Sequence, residues 1–167
     1  MLQIRSARPR ARGFSLLEVL VVVAIILIIA AISIPQFLRA RMKANEASAI
    51  SSLRTITTVQ VTYVSNYQVG YAPSLAALGP PIGGGAPSAA AADLLDSVLA
   101  SGIKNGYSFV YNVLDVDGNG QPDLYTVNAN PVSPGQTGER FFYVDQTHVL
   151  RFALGGPADA TSEPVPK

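Results

Sequence analysis

Two stretches hold side chains whose types and spacing could do chemistry. In D-V-D-G-N-G-Q-P-D, the residues Asp115, Asp117, Asn119 and Asp123 place oxygens at positions one, three, five and nine, with Gly120 at six for a sharp turn. That is the first part of a calcium-binding loop, in which hard oxygen donors suit a hard divalent cation. Position twelve departs from it, since Thr126 stands where a bidentate Glu belongs, and the loop joins predicted strands, not helices. The same residues also read as a hairpin turn, because D-G and N-G favour tight turns without any metal. Both readings stand at this level; a structural calcium ion would staple a chain that has no Cys.

The second stretch is Phe14 to Ile34, 21 residues in which Glu18 is the only charge. A helix of that length reaches ~32 Å, close to the ~30 Å hydrocarbon core of a bilayer. A carboxylate there costs about 2.5–3.5 kcal/mol at the centre of a span and less toward an end, so a retained Glu asks for a partner. If the bond after Gly13 is cut, Phe14 gains an α-ammonium four residues before Glu18, on the same helix face. Two plainer readings compete. Ala31-x-Ser33 after a basic start suits an ordinary secretory signal, and a simple anchor could let Glu18 snorkel to the interface.

A basic leader ending in Gly13, then Phe14, Ser15, Leu16, Leu17 and Glu18, a long apolar run and Pro35 resemble the class III signal peptide of type IV pilins and type II secretion pseudopilins. The resemblance is specific from Arg12 to about Leu53 and weaker beyond. It implies that a prepilin peptidase cuts between Gly13 and Phe14 and N-methylates Phe14. It further implies assembly through Glu18 and the helix that Pro35 interrupts, with copies of the chain, minor pilins and an inner-membrane assembly machinery as partners. The precursor would be a single-pass protein of the bacterial inner membrane, N-terminus cytoplasmic, its head periplasmic or on a surface filament.

The remaining elements must carry these sites. Residues 1–13 read as the leader, 14–34 as the membrane and assembly helix, and 35–67 as its amphipathic continuation, kinked at Pro35. Ile50, Leu53, Thr57, Val61 and Val64 mark the face expected to be buried. The head spans 68–154. Gly70 to Ala92 reads as an exposed low-complexity loop, followed by a short helix, Leu94 to Ala100, capped by Asp93. Four strands are expected at Tyr107–Val113, Leu124–Asn128, Arg140–Asp145 and Val149–Ala153, and 155–167 as a flexible tail. The fold class is α+β, a lollipop of one long helix on a small antiparallel sheet, which also fits the resemblance.

Charge narrows the partners. The chain carries 12 basic and 11 acidic residues, but from Gln68 onward only 4 basic against 9 acidic. An acidic head gives no nucleic-acid footprint. The single His148, the absence of Cys and the lack of any nucleophile elbow or phosphate loop give no enzyme; the chain reads as a substrate of one. The functions left are a structural subunit of a type IV pilus, a pseudopilin driving protein export, or a membrane-anchored binding module that does not polymerise.

Overall fold

A computed structural model gives the structure of residues 13–166, so the basic leader up to Arg12 lies outside the described residues. The chain divides into two compact units that meet between Phe37 and Leu38. Both draw on α1 (Leu16–Tyr67), which contains Pro35 without ending there. In the first unit this helix is apolar all round and its large side chains, from Leu16 to Phe37, are exposed. It is long and apolar enough to cross a membrane. A helix that is hydrophobic on every face needs lipid or other helices around it.

In the second unit, the part of α1 after Phe37 packs on an antiparallel sheet in sequential order. The strands are β1 (Ile103–Lys104), β2 (Tyr107–Leu114), β3 (Leu124–Pro131), β4 (Arg140–Asp145), β5 (Arg151–Leu154) and β6 (Glu163–Pro164). Short connections between consecutive strands explain the meander. Register pairs Phe109 with Ala129 and Ala129 with Phe142, so one inward row crosses three strands. Leu53, Ile56 and Tyr63 of α1 meet Tyr107, Tyr125, Val127 and Phe142 in the core.

Six strands replace the four expected, and both additions are two-residue edges too short to show a pattern. The segment 155–166 is no free tail. It supplies β6 against β5 and buries Ala158, whose carbonyl accepts from Asn128 Nδ2 at 2.7 Å. The low-complexity stretch is likewise structured: it holds α2 (Leu75–Leu78), capped by Ser74, and buries Ala72, Leu75, Ala77 and Leu78. Small residues there allow close packing, which composition alone disguises as a loop.

The short helix is α3 (Ser97–Ala100), later than expected, and its cap is Asp96, not Asp93. Asp93 has φ of 54°, the left-handed region, whereas a cap needs the extended backbone that Asp96 adopts. Asp96 accepts from Leu99 N at 3.0 Å and pairs with Lys104 Nζ at 2.9 Å.

The buried face of α1 is rotated about one position from the expected stripe. Glu46, Ala49, Leu53, Ile56, Gln60 and Tyr63 are buried, while Val61 is 49% exposed. Glu46, Ser52 and Gln60, polar residues on that face, misled the apolar count, and the long side chains of Glu46 and Gln60 are bonded to other parts of the fold. Gln60 Nε2 donates to the Tyr111 hydroxyl at 2.5 Å, and its Oε1 accepts from Ala72 N at 3.0 Å. Buried amides of this kind are tolerated only when bonded.

Candidate functional site

At the N-terminal end, Gly13 precedes α1 and Phe14 is 74% exposed. A Cβ on Gly13 would meet nothing within 4 Å, so packing in the described structure does not call for glycine there. Ser15 O accepts from Glu18 N at 3.1 Å and Val19 N at 3.3 Å, opening the first turn. Glu18 lies in that turn, where a negative charge suits the helix dipole. Its side chain is exposed and takes no hydrogen bond or ion pair among the described residues. Pro35, exposed within the same helix, lies far along it. Nothing gathers around either residue within the chain.

The Asp115–Asp123 turn links β2 to β3, and its carboxylates do converge: Asp115, Asp117 and Asp123 offer oxygens within 4.8 Å of one another. The loop's own amides already serve them. Gly118 N donates to Asp115 Oδ1 at 2.8 Å, Gly120 N to Asp115 Oδ2 at 2.7 Å, and Val116 N to Asp123 Oδ2 at 2.8 Å. Asn119 turns its Nδ2 toward Asp117 at 2.8 Å and its Oδ1 accepts from Gln121 N at 2.7 Å. The Gly120 amide, helped by that of Gly118, holds the Asp115 carboxyl below its ordinary range. Thr126 stays in register in β3, between Asn112 and Asp145, so it supplies no twelfth-position ligand. The donor set that remains is three carboxylates with free lone pairs, a fit for a weakly held hard cation.

The turn is seated on the end of α1. Tyr71 N donates to Pro122 O at 2.9 Å, and a Cβ on Gly70, at φ of 76°, would come within 2.6 Å of that same oxygen. Any side chain at residue 70 would lift the turn off its seat.

Sequence reasoning missed a third polar constellation. Glu46, its side chain 7% exposed, accepts from Arg140 Nε at 2.8 Å through Oε2. Its Oε1 accepts from Glu139 N at 2.9 Å and Arg140 N at 3.2 Å. The Arg140 guanidinium lies 5.8 Å from the Phe142 ring centre and 5.7 Å from that of Phe152. Beside it, Asn45 Nδ2 donates to Thr137 O at 2.9 Å, and Tyr107 donates to Arg140 O at 2.8 Å. A Cβ on the buried Gly138 would collide with the Tyr107 hydroxyl. These contacts bind the 131–140 connection to α1. The available signal was an acid and an Asn at a helix position otherwise flanked by small apolar residues.

Residues 8–34 match the prokaryotic N-terminal methylation motif. The chain is 37% identical over 73 residues to a type IV major pilin protein, PilA, of Myxococcus xanthus, covering 39% of this chain and 33% of that protein. It is 43% identical over 53 residues to a type IV wide pilus major component, PilA4, of Thermus thermophilus, covering 32% and 40% respectively. The matched stretch thus spans well under half the length of these curated relatives. No solved structure matches.

Proposed function

We propose that this chain is a structural subunit of a type IV pilus that polymerises through its apolar N-terminal helix. The observation that carries this reading is the pairing of a methylation motif over residues 8–34 with an apolar helix whose one acid has no partner among the described residues. Two relatives named as major pilus components support it over a secretion pseudopilin. A prepilin peptidase cuts after Gly13 and methylates the Phe14 amine. The cut frees a positive charge at the head of the apolar helix. In the assembling bundle, Glu18 of an incoming copy pairs with the Phe14 amine of its neighbour and sets the axial register, since both charges need a partner away from water. The precursor sits in the inner membrane with its N-terminus cytoplasmic, and the acidic heads coat the finished shaft.

Filaments sheared from cells and examined by intact mass should contain this chain beginning at Phe14 with one added methyl group. Finding Ile34 as the first residue would restore an ordinary secretory signal. Finding a correctly cut chain in membranes but in no filament would leave the non-polymerising anchor.

A further inference from the structure

The second unit carries opposite charge at the two ends of its helix. At the start, Arg39 and Lys43 are one turn apart on the same face and border an open groove of about 730 Å³, together with Glu46, Glu139 and Arg140. Glu46 and Arg140 neutralise each other at 2.8 Å. Arg39 and Lys43, both exposed, then outnumber Glu139, and neither takes an ion pair among the described residues. At the far end, Tyr71 and Gly70 seat the turn that presents Asp115, Asp117 and Asp123 within 4.8 Å of one another. No base pairs with these acids among the described residues either.

One copy cannot bring the two together. From Lys43 to Tyr67 the helix rises ~36 Å at about 1.5 Å per residue, several times the ~8 Å over which exposed charges interact in physiological salt. We infer that the groove bordered by Arg39 and Lys43 receives the Asp115–Asp123 turn of a second copy of this chain. Complementary patches at opposite ends of one body make a head-to-tail contact, which repeats without closing on itself and so extends a filament. An antiparallel two-fold pair would match the patches as well, but apolar helices bundled in one direction, as the polymer reading has them, exclude it. The contact rests on the polymer reading above and adds a second register element, between heads, to that of the apolar helices.

Exposed ion pairs are individually weak, so the test uses proximity and charge reversal together. Carbodiimide treatment of sheared wild-type filaments should join Lys43 to a carboxylate of the 115–123 turn, a link that the length of α1 forbids within one copy. In cells making the full chain as sole major subunit, Lys43→Glu and Asp117→Lys should each cut filament yield by about threefold or more. Membrane levels of processed subunit should hold steady, and the double reversal should recover most of the loss. Asp117→Asn, which removes the charge but leaves an oxygen to accept from Asn119 N, should lose yield without the recovery. Absence of the link, single reversals at wild-type yield, or a double no better than its parents overturns the contact while leaving the polymer standing. The link is read in chelator; one that forms only when calcium is added assigns the contact to a bridging cation and overturns it as well. A wild-type chain that forms no filament defeats the polymer reading itself and the contact with it.

Discussion

Glu18 and Glu46 lie on the same helix in opposite circumstances. Glu46 is buried and receives three donors from β4 and the residue before it. Glu18 is exposed on an apolar stretch and receives none among the described residues. A charge whose partners come from the same fold serves that fold. A charge kept on a membrane-length apolar helix without such partners points to one that arrives from outside. The contrast separates folding from assembly within one element, and it can be broken from either side.

The largest effect is expected at Glu18. Glu18→Ala should leave cleavage, methylation and insertion intact, yet lower filament recovery at least ~tenfold when no wild-type subunit is present, the factor that ~1.4 kcal/mol of lost pairing gives. Electron microscopy and immunoblots of sheared material read it directly. Filament yield equal to wild type would mean that Glu18 merely snorkels, and the two acids would no longer differ in kind.

Glu46 should behave the other way. Glu46→Ala strands two backbone amides and a part-buried guanidinium, at a cost of about 3 kcal/mol. For a head of this size that lowers Tm by roughly 10 °C, measured by circular dichroism on residues 38–167. Glu46→Ala with Arg140→Met should cost less than Glu46→Ala alone, because the orphaned cation is gone. A head of unchanged Tm that nonetheless fails to assemble would move Glu46 into the same class as Glu18.

Legibility followed the same division. The N-terminal motif was readable because it lies in consecutive residues: Gly13, Phe14 and Glu18 need no folded context to be recognised. The α+β class and the central strands were readable from alternation, as in Tyr107, Phe109 and Tyr111 of β2. What failed were features decided by long-range partners. Glu46 and Gln60 look solvent-facing until Arg140 and Tyr111 are brought to them. β6 is two residues long and exists because β5 offers an edge. Asp93 and Asp96 look equivalent as caps, and only the backbone chose between them.

Buried tyrosines extend the contrast to groups that are neutral at physiological pH. Burial chiefly, and the Glu46 charge second, push the Tyr107 hydroxyl well above its ordinary 10.0, while Arg140 opposes them. Burial likewise raises Tyr125. A folded-state pKa above the unfolded one gives stability that is fully present below about pH 10 and lost as pH rises, since the unfolded chain releases protons that the folded one keeps. Each tyrosine should cost ~1.4 kcal/mol per pH unit in that limb, seen as a falling Tm in alkaline buffers. Glu46→Gln should ease the limb only slightly, because burial is the larger cause at Tyr107. A limb that disappeared in Glu46→Gln would make the charge dominant instead.

The smallest effect is expected at the Asp115–Asp123 turn, which stands between the two glutamates: Asp117 and Asp123 are exposed and Asp115 half-buried, yet they are partnered by their own loop. Those amides hold the turn without an ion, and Thr126 leaves the ligand set short. Calcium held by so short a ligand set would have a Kd in the ~10⁻⁴–10⁻³ M range of weak extracellular sites. Binding restricted to the folded state stabilises by RT ln(1 + [L]/Kd), about 0.4 kcal/mol where calcium equals Kd. The head should therefore melt about 1–2 °C higher in millimolar calcium than in chelator, and Asp117→Ala should remove the difference. A rise of many degrees would show the ion to be a principal staple of the fold, with the loop amides secondary to it. No rise at all would leave Asp115, Asp117 and Asp123 with their loop amides and, between copies, the bases at Arg39 and Lys43.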